Sequence, residues 1–159
     1  MKKKLLLIVI FYFALIISSY GAASSGSSRS SNYDKGATII KKGKKLEEKG
    51  KIEKANKRYE KALEYLIKSN KEKPNQPDTL NYLGFTLRKL GNFEEAEKYY
   101  LLGLNIKPDH YGINEYLGEL YITTDRMNLA KERLEVLKNC NCEEYNELKE
   151  VIEKNYSNY

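Results

Sequence analysis

The residues of this chain best suited to chemistry are two cysteines, Cys140 and Cys142, held one residue apart by Asn141. Cys142 stands where a helical stretch begins, and a helix N-terminus favours the thiolate by lowering the thiol pKa. Three readings stay open for the pair: a structural pair, bridged locally or simply packed; pairing with another chain; or redox or soft-metal work. A metal site needs further ligands, and none is evident nearby. His110 is the single histidine. It adjoins the Pro108 and Asp109 turn, a setting that suits a solvated joint residue better than a general base. The serines gather near the N-terminus, where no scaffold orients a nucleophile. Neither a glycine-rich phosphate loop nor a zinc-spaced cluster occurs. Enzymatic chemistry is therefore not expected, and no cofactor or metal is implied.

The elements around these residues begin with a targeting segment. Lys2, Lys3 and Lys4 precede an apolar run of 13 residues from Leu5 to Ile17, followed by residues to Ala23 that are small apart from Tyr20. This layout predicts a secretory signal over 1–23, cleaved after Gly21 or Ala23. The alternative is an uncleaved membrane anchor, for which the run is shorter than the roughly 20 residues a spanning helix requires. Residues 24–32, rich in Ser and Gly, read as a flexible tether. The protein is thus expected to be exported, to the periplasm, or anchored in the inner membrane facing it. Membrane contact is expected only with the N-terminal segment uncleaved.

The formal charge of +6 is a weak pointer to nucleic acid, because three of the 28 basic residues lie in the signal, leaving 25 against 22 acids. Its distribution is more telling. Residues 35–73 carry 14 Lys/Arg and 6 Glu, whereas residues 74–159 carry 10 Lys/Arg and 15 Asp/Glu. Such polarity can steer an acidic partner, an anionic lipid surface or head-to-tail self-association, or simply mark solvated helix faces. Nucleic acid is not an expected partner.

The positioning scaffold shows in the small residues. Gly43 and Ala55, Gly84 and Ala96, and Gly118 and Ala130 are each twelve apart. A mid-helix glycine costs about 1 kcal/mol relative to alanine, so its recurrence implies a close helix approach. Around Gly84, Leu80, Leu83 and Leu87 share one face, against which Ala96 and Tyr100 of the next helix can pack. Gly91 suits a left-handed turn, and Asn92 with Glu95 forms a capping-box pattern. Glu47/Lys51, Glu53/Lys57 and Glu94/Lys98 are spaced as exposed ion pairs. After the third unit, Tyr145, Leu148, Val151 and Ile152 share a face, predicting a capping helix over 143–155 before a tail at 156–159.

Leu80, Leu83, Gly84, Leu87, Gly91, Ala96, Tyr100 and Pro108 resemble the tetratricopeptide repeat pattern of a helical hairpin. The resemblance covers about residues 36–142. Asp125 replaces the turn glycine of the last unit, Cys142 its closing proline, and seven extra residues around Ser69 to Lys73 predict a solvated overhang or loop. The expected fold is all-α, a short α-solenoid of three hairpins within 33–142, at about 36–69, 77–110 and 111–142, plus the cap. The resemblance implies a concave face lined by the first helix of each repeat. Mapped here, that face offers Ile40, Lys44 and Glu47, then Asn81, Phe85 and Arg88, then Glu115, Glu119 and Ile122. Phe85 would be an apolar anchor and Arg88 its charged neighbour. The implied function is a protein–protein interaction or scaffold module of the bacterial envelope that binds a partner segment there. The family's carboxylate-clamping Lys/Asn/Arg set is not reproduced. Competing readings are a small thiol redox or metal-handling protein using Cys140 and Cys142, and a self-assembling structural protein.

Overall fold

The computed structural model describes residues 31–156. The signal segment, residues 24–30 of the expected tether and residues 157–159 lie outside the described residues. Seven helices follow in order: α1 (Asn32–Glu47), α2 (Ile52–Glu72), α3 (Pro77–Lys89), α4 (Phe93–Ile106), α5 (Tyr111–Thr123), α6 (Met127–Leu137) and α7 (Glu143–Tyr156). No strand occurs among the described residues. The fold is an all-α helical-repeat array. Helices α1/α2, α3/α4 and α5/α6 form hairpins, α2 leans on α3 and α4 on α5, and α7 closes the array against α5 and α6.

The spacing of glycine and tyrosine explains how tightly each hairpin closes. A Cβ on Gly43 would lie 2.5 Å from Tyr59 Cε1, and one on Gly84 only 2.6 Å from Tyr100 Cδ1. Both rings are fully buried, so the missing side chain is the space the ring occupies. The third unit has Leu134 where the others have tyrosine. There Leu148 of α7 comes within 2.6 Å of a Cβ built on Gly118, so the cap fills the slot.

The hairpin turns close alike. The backbone N–H of Lys51 donates to Leu46 O, that of Asn92 to Leu87 O and that of Arg126 to Tyr121 O, at 2.9, 2.9 and 2.7 Å. Each closure needs a left-handed residue: Gly50, Gly91 and, at φ 57°, Asp125. The absent third glycine therefore leaves the turn unchanged.

Three local expectations are corrected. Asn92 makes no side-chain cap, because its ψ of 65° is far from the extended value a cap requires. The capping box belongs instead to Ser31, with ψ 163° and reciprocal bonds to Asp34, so the helical array begins inside the expected tether. The seven-residue surplus is an overhang and not a loop: it continues α2, with Lys71 and Glu72 exposed and only Ser69 buried. Of the three expected ion pairs, only Glu94 with Lys98 is formed, at 3.2 Å.

Candidate protein-binding face

Helices α1, α3 and α5 stand side by side, and their shared face shows a consistent offset from the sequence mapping. Ile40, Asn81 and Glu115, each three residues before its glycine, are 3%, 8% and 3% exposed. They point between helices rather than out of the face. One residue later, Lys41 is exposed and Tyr82 and Tyr116 are half-buried. One residue is 100° on a helix, which separates a buried wall from a presented surface. A cleft of about 380 Å³ is lined by Ala37, Thr38, Lys41 and Lys44 of α1, Tyr82 of α3 and Tyr116 of α5, with Ile40 in its wall.

Phe85 is not presented as an anchor. It is 1% exposed, with its ring 4.9 Å from that of Tyr116 and 5.8 Å from that of Tyr59. Above it, Lys44 Nζ sits 5.0 Å from the Phe85 centroid and 5.1 Å from that of Tyr116. The same ammonium donates to the Tyr116 hydroxyl at 2.9 Å. Burial pushes the Tyr116 hydroxyl well above its ordinary pKa, so it stays protonated. Phe85 is thus the floor beneath a cation, and Lys44 is the presented group.

Arg88 forms an ion pair with Glu119, and its guanidinium lies 5.8 Å from both the Phe85 and Tyr116 centroids. It is therefore already matched by an acid. Glu47 accepts from Tyr59 OH at 2.6 Å and from Lys89 Nζ at 2.7 Å. Burial alone would raise the Glu47 pKa, but these two hydrogen bonds hold it below the ordinary value. Ile122 is half-buried against the core. Burial, assisted by a hydrogen bond with Glu147 of α7, pushes Glu115 up to about 10, so this carboxyl is neutral at pH 7.

Among these groups Lys44 and Lys41 stand apart: among the described residues neither forms an ion pair with a carboxylate. The inner face thus has cations outside any ion pair on α1 and paired or protonated acids on α5. Sequence reasoning missed Lys41, Tyr82 and Tyr116. The signal for Lys41 was the i, i+4, i+7 spacing of Ala37, Lys41 and Lys44, and that for the tyrosines their recurrence two residues before Gly84 and Gly118.

The chemical candidates lie elsewhere. Cys140 and Cys142 are joined as a disulfide in the turn before α7, around a left-handed Asn141. His110 is not a solvated joint residue, its side chain being 11% exposed. Its Nδ1 accepts from the Ile113 N–H at 3.2 Å, capping α5, which leaves Nε2 to donate to Asp78 at 3.0 Å. Both sites are structural seams, away from the inner face.

This geometry is that of a tetratricopeptide repeat array, and residues 37–109 match the tetratricopeptide repeat family model. The match spans the first two of the three hairpins. The anaphase-promoting complex subunit 6 of Dictyostelium discoideum is 43% identical over 54 residues, a match that spans 34% of this chain and 6% of the length of that protein. The crystal structure of a tetratricopeptide repeat protein from Parabacteroides merdae superposes with a TM-score of 0.54 at 18% identity, covering 80% of this chain and 61% of that one. The first TPR of Spaghetti (RPAP3), bound to the HSP90 peptide SRMEEVD, is 22% identical with a TM-score of 0.48, over 80% of this chain and 97% of that one.

Proposed function

We propose that this chain is a non-enzymatic interaction module of the bacterial envelope, which binds an acidic segment of another protein along the inner face of its repeats. The observation that carries the reading is the placement of Lys44: an ammonium braced over the Phe85 and Tyr116 rings, at the edge of an open cleft, and in no ion pair with a carboxylate among the described residues. A cation held in this way is ready for an incoming carboxylate, because the rings and the Tyr116 hydroxyl have already fixed its position. Lys41, one turn earlier on the cleft wall, offers a second contact, and Tyr82 an amphipathic surface beside it.

Export follows from the charged, apolar and small-residue layout of residues 1–23. It is tested by N-terminal sequencing of the protein recovered from a bacterial host's envelope, where a start at Ala22 or Ser24 supports it and a start at Met1 in the cytoplasm refutes it. Binding is tested by capture from the same envelope with full-length protein and its Lys44→Glu form. Retention of an acidic partner by the first and not the second supports the proposal, and equal retention refutes it.

A further inference from the structure

We infer that the outer side of α2 docks on an anionic lipid surface. Residues 51–73 hold eight Lys/Arg against four Glu. Within them Lys54, Lys57, Lys61 and Lys68 recur at spacings of 3, 4 and 7, which places them on one stripe of the helix. The stripe turns away from Ala55, Tyr59, Ala62 and Leu66, the residues α2 buries. All four lysines are exposed, and among the described residues none forms an ion pair. They follow the helix for about 20 Å at 1.5 Å per residue. A diffuse plane of negative charge is the partner this arrangement matches.

Two further observations favour lipid over another polyanion. Tyr65 lies beside the stripe with Lys68 Nζ 5.6 Å and Lys35 Nζ 5.8 Å from its ring centroid, a pairing of basic and aromatic side chains suited to the headgroup level. The Lys68 end of the stripe is at the end of the fold where the chain enters it: Asn32 Nδ2, at the start of α1, donates to Glu72 at the end of α2 at 2.6 Å. Between the apolar run ending at Ile17 and Asn32 lie 14 residues, which span at most about 50 Å when fully extended. In the uncleaved form, with the run in a bilayer, that length keeps the Lys68 end of the stripe near lipid.

The test is cosedimentation of the full-length chain with vesicles of phosphatidylcholine alone and of phosphatidylcholine mixed with phosphatidylglycerol. The apolar run contributes to both, so the difference between the two reads the lysines. Partitioning about tenfold or more stronger into the anionic vesicles, declining as salt is raised, is expected. Lys54→Gln/Lys57→Gln/Lys61→Gln/Lys68→Gln should bring it down to the neutral-vesicle level, with helicity checked by circular dichroism. Lys54→Gln/Lys61→Gln should give an intermediate loss if the quadruple variant does not fold. Lys44→Ala should leave vesicle binding unchanged, which separates this surface from the inner face. Equal partitioning into both vesicles, or an anionic preference that survives both lysine variants, overturns the inference. So does a lysine-dependent retention on heparin without any preference for anionic vesicles.

Discussion

Lys44 of α1 donates a hydrogen bond to the Tyr116 hydroxyl of α5, 2.9 Å away and 72 residues later in the chain. The contact crosses the middle repeat over the Phe85 ring and joins the first repeat to the third. It binds the lysine to a neutral group, so the charge remains to be satisfied by something else. Lys44→Ala is expected to weaken capture of an acidic segment by about 1.5–3 kcal/mol, the range for a hydrogen bond to a charged group. Tyr116→Phe keeps the ring and loses only the brace, so its effect should be nearer 1 kcal/mol. Titration calorimetry with the captured segment reads both.

Close approach at the glycines makes them intolerant of even one methyl. Gly84→Ala sets a Cβ against the buried edge of Tyr100, and overpacking of this kind should cost about 1–3 kcal/mol. Asp125→Gly should act in the opposite direction, relieving the left-handed residue at φ 57° and raising stability by up to about 1 kcal/mol. Urea denaturation of the two variants checks both signs.

Glu115 should make the fold less stable as pH rises. Its folded-state pKa is raised by burial to about 10 from an ordinary 4.5. Below pH 4.5 both states hold the proton and folding carries no penalty. As pH rises through the window between those values, the unfolded state releases the proton while the folded state keeps it, and stability falls progressively. Thermal melts of the wild type should therefore show a decline from pH 5 to pH 9, and Glu115→Gln should flatten it. A Glu115→Gln curve parallel to the wild type would contradict the neutral carboxyl.

The disulfide between Cys140 and Cys142 should support the seam before α7 without serving the inner face. A loop this short predicts a stabilisation of about 1–2 kcal/mol from chain entropy. Cys140→Ser/Cys142→Ser should lower the melting temperature slightly, as should reductant on the wild type, while partner capture persists. Loss of capture in the double variant would favour the thiol reading instead.

The pairing of helices was legible because a glycine placed twelve residues before an alanine has a local packing cause. The identity of the presented residues was not, since a helix of known register still has to be rotated against its neighbours. The mapping placed Lys44 on the cleft but erred by a single residue at Ile40 and Asn81, enough to exchange these buried side chains for Lys41 and Tyr82. Phe85 reads as an exposed anchor from its own helix alone. Its burial comes from Tyr59, Lys44 and Tyr116, contributed by three other helices. Likewise Leu134 signalled that the third unit lacks a tyrosine, but only α7 in place shows Leu148 filling the slot. His110 escaped as a helix cap because Ser, Thr, Asp and Asn are the residues that a capping pattern brings to mind.

The proposed working surface is the inner face between α1 and α5. Site-specific photocrosslinking in the native envelope tests it most directly, with a photoreactive side chain placed in the full-length chain at Thr38, on the cleft, or at Leu102, exposed on α4. A protein adduct is expected from position 38 that disappears when Lys44→Glu is added, and none from position 102. An adduct from position 102 alone, or one from position 38 that is indifferent to Lys44→Glu, would contradict it.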